Sequence, residues 1–210
     1  MLAAYIADVT ALENPELFAR LYSAASPRRR AKTDALRFPK DKRLSLGAEA
    51  LLRYACGQWG TDYAHAQLAE GKWGKPYFTN AALMFNLSHS GSKVMCAVSD
   101  KPVGCDTEQI AAPRLEIAKR FFTPAEYRLC LEREDMFYRL WTAKESYIKY
   151  TGRGLSLALD RFEVTLEGDR LHVIGSPCTV LEHDLNDGYR YAVCGESDEC
   201  IFMQIDTEVL

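Results

Sequence analysis

Two carboxylates stand two residues apart in the run Val103-Gly-Cys-Asp-Thr-Glu108. The run has the composition of a strand. The period of two then puts Asp106 and Glu108 on one face, and Gly104 leaves room for a ligand or another backbone to come close. By itself the pair reads more readily as a solvated strand face than as a site. A third acid, Glu145, lies in Phe137-Tyr-Arg-Leu-Trp-Thr-Ala-Lys-Glu-Ser-Tyr-Ile-Lys149. As a helix, this segment gathers Phe137, Leu140, Trp141, Ala143, Tyr147 and Ile148 into a broad apolar face, with Glu145 beside it. The spacing also allows an intrahelical pair between Glu145 and Lys149. Three carboxylates from a strand and a helix suit a hard cation such as Mg²⁺, which takes few carboxylates and completes its shell with water and substrate phosphates.

Groups that would hold phosphates are present as well. Gly74-Lys75-Pro76 places a cation on a stiff turn, and Asn86-Leu-Ser-His-Ser-Gly91 offers hydroxyls, amides and one imidazole at a strand end. His89 alone would read as a loop histidine without a ligand. Lys144 and Lys149 flank Glu145. The run from Arg28 to Arg43 is strongly basic in a chain whose net charge is -3. Such a run is commonly a solvated face. The overall charge gives no drive toward nucleic acid or an anionic membrane, so an anion site must be built locally.

The elements that must position these residues follow from pattern and punctuation. Asn14-Pro15-Glu16 opens a helix, and a longer helix spans about 44–54. A polar, glycine-rich loop covers 71–76. Strands are expected near 84–88 and 94–98, with His89-Ser-Gly-Ser92 turning between them. The second half begins with a strand at 103–107. Thr123-Pro-Ala-Glu126 is a capping box for a helix to about 131, and a second helix covers 136–150, ending near Gly152. Strands at 161–166, 170–174, 189–194 and 201–205 complete the chain. Each half is thus a short helix, a long helix, then strands, which points to a duplicated α+β unit with a cleft between two lobes. The 210 residues suffice for this. No apolar run is long enough to span a bilayer, and the N-terminus reads as a strand rather than a signal peptide. Seven scattered cysteines without a C-x-x-C spacing read as buried thiols in a reducing cytoplasm.

The order of these blocks, Gly74-Lys-Pro76, Phe85 to Gly91, Gly104 to Glu108, Phe122 to Glu126, Trp141 to Lys149 and Gly152-Arg-Gly-Leu155, resembles the Sfp-type 4'-phosphopantetheinyl transferases. The resembling region runs from about Lys32 to Leu155. Cys105 and Thr107 depart from the branched apolar residues usual beside the first acid. The resemblance implies an α+β fold of two similar, pseudo-symmetric lobes, 1–101 and 102–210, with coenzyme A in the cleft and the metal held by the second. It implies Asp106, Glu108 and Glu145 as ligands of Mg²⁺ or Mn²⁺. It implies coenzyme A contacts from Arg43, Lys75, Pro76, Ser88, His89, Lys144 and Lys149, with His89 near the 3'-phosphate. The implied reaction moves 4'-phosphopantetheine onto a serine of an apo acyl or peptidyl carrier protein and releases 3',5'-ADP. Glu145, or a water held by it on the metal, would take the serine proton, and Lys149 would neutralise or protonate the departing ADP. The implied enzyme is a cytoplasmic monomer that binds neither nucleic acid nor membrane. Two other classes could use the same residues: a metal-dependent nucleotide phosphohydrolase, and a catalytically silent coenzyme A-binding module.

Overall fold

The structure is a computed structural model describing residues 1–210, the side chain of Leu155 excepted, so the last residue of the resembling region lies outside the described side chains. Each half lays down the same series of elements. The first runs β1 (Leu2–Asp8), α1 (Pro15–Ala24), α2 (Pro27–Ala35), α3 (Pro39–Gln58), the hairpin β2 (Leu68–Glu70) and β3 (Pro76–Phe78), then β4 (Met84–Ser90) and β5 (Lys93–Ser99). The second runs β6 (Val103–Gln109), α4 (Leu115–Phe121), α5 (Pro124–Glu132), α6 (Met136–Thr151), the hairpin β7 (Val164–Glu167) and β8 (Arg170–Val173), then β9 (Thr179–His183) and β10 (Tyr189–Gly195). The pairing repeats too, as β1-β5-β4 in one sheet and β6-β10-β9 in the other. The chain is therefore α+β and internally duplicated.

Each half has one more helix than its apolar pattern suggests. Helix α2, Pro-Arg-Arg-Arg-Ala-Lys-Thr-Asp-Ala, buries only Thr33, so it carries no apolar stripe. Its start is set instead by Ser26, whose hydroxyl accepts from Arg29 N–H at 3.1 Å, with Pro27 at the first helical position. Helix α4 is too short for its one buried residue, Ala118, to show a period. The expected capping box at Thr123 and Glu126 is formed, and α6 ends at Gly152 with φ 66°.

Strand periodicity divides the interior into three cores. Tyr5 and Ala7 of β1 and Val94, Cys96 and Val98 of β5 face α3, where Leu51, Leu52 and Ala55 pack on them. Residues one step along, Leu2, Ala4, Ile6, Met95 and Ala97, face the other way and meet Val103, Cys105, Tyr191 and Val193 of the second sheet. The far side of the second sheet packs on α6 through Leu140, Ala143 and Cys194. A single period-two alternation thus seals both lobes and joins them. All seven thiols are free and six are buried. Among the described residues no helix is long and apolar enough to cross a membrane.

The C-terminus departs from the expected division at residue 102. Strand β11 (Ile201–Gln204) pairs parallel with β1, opposite Ala3 to Ile6, and Ile205 N–H donates to Ile6 O at 2.8 Å. Residues 201–204 therefore complete the sheet that contains β1, β5 and β4. Burial of β1 on both faces requires a neighbour on its free edge, and the end of the chain supplies it.

Gly104 sits where β6 and α6 cross. A Cβ there would lie 2.1 Å from Ser146 O and 2.2 Å from Tyr150 N, both helix backbone atoms that cannot rotate away. Of the two reasons for a glycine, close approach of another backbone is the one realised. Gly104→Ala is expected to lower the unfolding free energy by about 3 kcal/mol, since the helix itself must move. Urea unfolding of the variant beside the parent measures it, and a loss of only a few tenths would disprove the close packing.

Candidate active site

Strands β4 and β6 lie side by side but belong to different sheets. Alternate side chains of β4 join them. Cys105 N–H donates to Asn86 Oδ1 at 2.8 Å, Thr107 N–H to Ser88 Oγ at 3.3 Å, and Gln109 N–H to Ser90 Oγ at 3.1 Å. A hydroxyl can accept and donate at once. The two serines use this, with Ser88 donating to Asp106 Oδ1 and Ser90 to Glu108 Oε2, both at 2.8 Å. The junction between the sheets is therefore also the mount for the two carboxylates.

Helix α6 contributes the remainder. Lys149 Nζ donates to Asp106 Oδ1 at 2.6 Å and to Ser88 Oγ at 3.0 Å. Trp141 Nε1 donates to Glu108 Oε1 at 3.3 Å. Glu145, one turn from each, lines the same cavity of about 340 Å³ together with Ser88, His89, Asp106, Glu108 and Lys149. Lys149 turns toward Asp106, so among the described residues the intrahelical pair with Glu145 is not made.

The electrostatics of this cavity are unfinished. Glu145 is held above the ordinary carboxylate pKa first by burial and then by the charge of Asp106; Glu108 is raised for the same two reasons in the same order. Burial alone would lower Lys149, but Asp106, together with Cys105 and Glu145, outweighs that and raises it. Asp106 is 4 % exposed, and its Oδ2 is buried with no hydrogen-bond partner. An orphan carboxylate oxygen is costly, and a cation beside it would satisfy it. Three hard oxygen donors with mutual repulsion and one free acceptor fit a divalent cation of the Mg²⁺ type. Among the described residues, no three of His, Cys, Asp and Glu are gathered closely enough to hold an ion unaided.

A basic trough adjoins the acidic cavity across Leu87 and His89, which line both. Its other walls include Arg29, Lys32, Ser45 and Pro76. His89 is exposed, and its pKa is lowered by surrounding protein atoms and then by Lys149 and Lys32. Arg29 was not singled out by sequence. It stands in a run of three arginines and is distinguished from its neighbours by its partners, Nε donating to Glu49 at 3.0 Å and Nη1 to Ser45 Oγ at 3.2 Å. Ser90 and the indole N–H of Trp141 were likewise unmarked, because their partners lie on other elements.

Three expected phosphate contacts fall elsewhere. Lys144 is fully buried, pairs with Glu126, donates to Phe162 O at 3.0 Å and lies 4.3 Å from the centre of the Phe162 ring. It is a core residue, because one helical step from Glu145 turns it 100° toward α5. Lys75 Nζ donates to Val103 O at 2.7 Å and Lys149 O at 2.6 Å, so its ammonium is turned into the lobe junction. Arg43 pairs with Glu13 at 3.1 Å and lines a separate pocket with Lys40 and Tyr189.

A sequence profile of the 4'-phosphopantetheinyl transferase superfamily matches residues 102–194, the half that carries Asp106, Glu108 and Glu145. A 4'-phosphopantetheinyl transferase of Bacillus subtilis is 37% identical over 202 residues, covering 90% of this chain and 90% of that protein. The 4'-phosphopantetheinyl transferase Sfp of Bacillus subtilis strain 168 is 37% identical over 187 residues, covering 83% of this chain and 84% of its own. The 4'-phosphopantetheinyl transferase HetI of a Nostoc species is 32% identical over 149 residues, 65% of this chain and 62% of that one.

The burial of Lys144 can be checked directly. Lys144→Met leaves Glu126 as an uncompensated buried charge, still accepting from Thr123 N–H at 2.8 Å and Val164 N–H at 2.7 Å. Unfolding free energy is expected to fall by about 3 kcal/mol. A loss typical of a surface lysine, a few tenths of a kcal/mol, would return Lys144 to the list of exposed cations.

Proposed function

The chain belongs to the 4'-phosphopantetheinyl transferase superfamily, and on that premise we propose that it moves the 4'-phosphopantetheine arm of coenzyme A onto a serine of an apo carrier protein at the cavity between β4, β6 and α6. The observation that carries this reading is the convergence of Asp106, Glu108, Glu145 and Lys149 beside a basic trough. A phosphate-rich substrate that reacts at its pyrophosphate needs both, cations for the nucleotide phosphates and carboxylates for a metal at the pyrophosphate. The trough offers Arg29 and Lys32 to the nucleotide end, with Pro76 and His89 on its walls, and the acidic cavity receives the pyrophosphate. The enzyme acts as a cytoplasmic monomer in this reading.

Asp106, Glu108 and Glu145 are the residues that would hold Mg²⁺ or Mn²⁺. Such an ion, when bound, draws charge from the pyrophosphate and from the phosphate that leaves. The chain's own groups do the rest. The serine oxygen forms a bond to the phosphorus that carries pantetheine, and the bond from that phosphorus to the bridging oxygen breaks. Glu145 takes the serine proton. Its pKa, raised by burial and then by the charge of Asp106, makes it a stronger base than a solvated carboxylate. Lys149, fixed by Asp106 and Ser88, offsets charge on the departing 3',5'-ADP and can return a proton to it. Positioning and preorganised charge supply most of the acceleration.

Incubation with coenzyme A, Mg²⁺ and an apo carrier tests the reaction by mass spectrometry. The expected result is a carrier heavier by one phosphopantetheine; release of 3',5'-ADP with an unchanged carrier would indicate hydrolysis instead. Asp106→Ala is expected to abolish transfer while the circular dichroism spectrum stays that of the parent. Activity within about threefold of the parent would exclude Asp106 from the reaction, since losing such a group should remove several kcal/mol of transition-state stabilisation.

Glu145→Gln separates charge from shape. At saturating Mg²⁺, kcat is expected to remain about 10²–10⁴-fold low, the usual consequence of losing a general base. The residual rate should climb more steeply with pH than that of the parent as hydroxide takes over. Full recovery of kcat by added metal would leave Glu145 as a ligand only.

A further inference from the structure

Glu108 differs from its two acidic neighbours in being held at both oxygens. Oε2 accepts from Ser90 Oγ at 2.8 Å, and Oε1 accepts from Trp141 Nε1 at 3.3 Å. The two donors come from opposite sides of the junction, Ser90 from the first sheet and Trp141 from α6. Asp106 has donors on one oxygen only, and Glu145 has none among the described contacts of its cavity. Ser90 is itself fixed, since its Oγ accepts from Gln109 N–H at 3.1 Å while it donates to Glu108. That leaves its hydroxyl proton one direction to point.

We propose that Ser90 is a positioning residue, which sets the rotamer of Glu108 against the Trp141 indole and so fixes this carboxylate for cation binding. The inference rests on the reading of Asp106, Glu108 and Glu145 as the cation's carboxylates. A free glutamate spends rotamer entropy each time it must take up one geometry, and it is repelled here by Asp106. Two donors from two elements remove most of that freedom before any ion arrives. Groups behind a ligand tune metal affinity by orienting it, and losing one commonly weakens binding by about 10–100-fold. Ser90 also reports lobe closure, because its hydrogen bond exists only while β4 and β6 are in register. Cation affinity and the fit of the two lobes are thereby coupled through one hydroxyl.

Mn²⁺ titration followed by electron paramagnetic resonance, on enzyme with coenzyme A but no carrier protein, reads this without any turnover. Ser90→Ala is expected to weaken Mn²⁺ binding about 10-fold or more. The melting temperature should match the parent's, because Gln109 is exposed and water can replace the lost acceptor. Ser90→Thr, which keeps the hydroxyl, should restore the affinity. In turnover, the Ser90→Ala defect should be recovered by raising Mg²⁺, with KM for coenzyme A unchanged. Equal Mn²⁺ affinity in parent and Ser90→Ala would overturn the positioning role while leaving the carboxylate assignment in place. An alanine variant that loses affinity only in step with its melting temperature would also overturn it. A parent that binds no Mn²⁺ at all would remove the carboxylate assignment first, and this role with it.

Discussion

The structure depends on a junction in which side chains replace a backbone ladder. Where β4 meets β6, the N–H groups of residues 105, 107 and 109 are satisfied by Asn86, Ser88 and Ser90. Direct strand pairing would have fused the two sheets into one and brought the backbones within about 5 Å. Three short polar side chains hold them apart instead, and the space so kept is occupied on one side by apolar contacts of Val103 and Cys105 and on the other by carboxylates. From Asn86 onward every second residue of β4 is small and able to accept, and at the buried positions Asn86 and Ser88, which water does not reach, the junction requires it. That requirement explains the Asn-x-Ser-x-Ser pattern without reference to any ligand, and chemistry is then added by the hydroxyl protons left over.

The same junction needs α6 at a fixed height and rotation. Height follows from Gly104, which lets helix backbone touch strand. Rotation is set by the buried pair of Lys144 and Glu126, with Glu126 also capping α5 and accepting from Val164 N–H. Such a pair is weak support for stability but admits one geometry, and in this protein it directs the adjacent residue, Glu145, into the cavity. The far end of the helix is held by Lys75, whose ammonium reaches across from the β2–β3 loop to Lys149 O. Burial pulls its pKa down to about 8, a cost the two carbonyl acceptors partly offset.

What could be read from sequence divides along these lines. Local rules were sufficient for the capping box at Thr123, the end of α6 at Gly152, the shared face of Asp106 and Glu108 and the doubled order of elements, because each is decided within a few residues. Interactions that cross elements were not legible. Nothing in Ile201–Gln204 distinguishes a strand that returns to β1 from one that extends the second sheet. Glu145 and Lys149 have the spacing of a helical pair, yet Asp106, from another element, captures the lysine. Lys144 and Lys149 look alike beside Glu145, and only the position of α5 makes one a core residue and the other a cavity residue. Basic runs were the least informative, since Arg28, Arg29 and Arg30 receive three different fates: a surface pair with Glu70, a half-buried pair with Glu49, and carbonyl bonds at Ser23 and Ala25.

Charge changes sign along the site, from the carboxylates of the cavity to the cations of the trough beside it. Burial and then the charge of Asp106 raise the pKa of both Glu108 and Glu145. The opposite holds at the trough. Surrounding protein atoms, and then Lys149 and Lys32, lower the pKa of His89 although its side chain is exposed, which favours the neutral imidazole. A neutral ring costs nothing in repulsion while the trough is empty of anions. His89 and Lys32 line the same trough with Arg29, so an anion entering it would meet permanent cations beside a group that can gain charge.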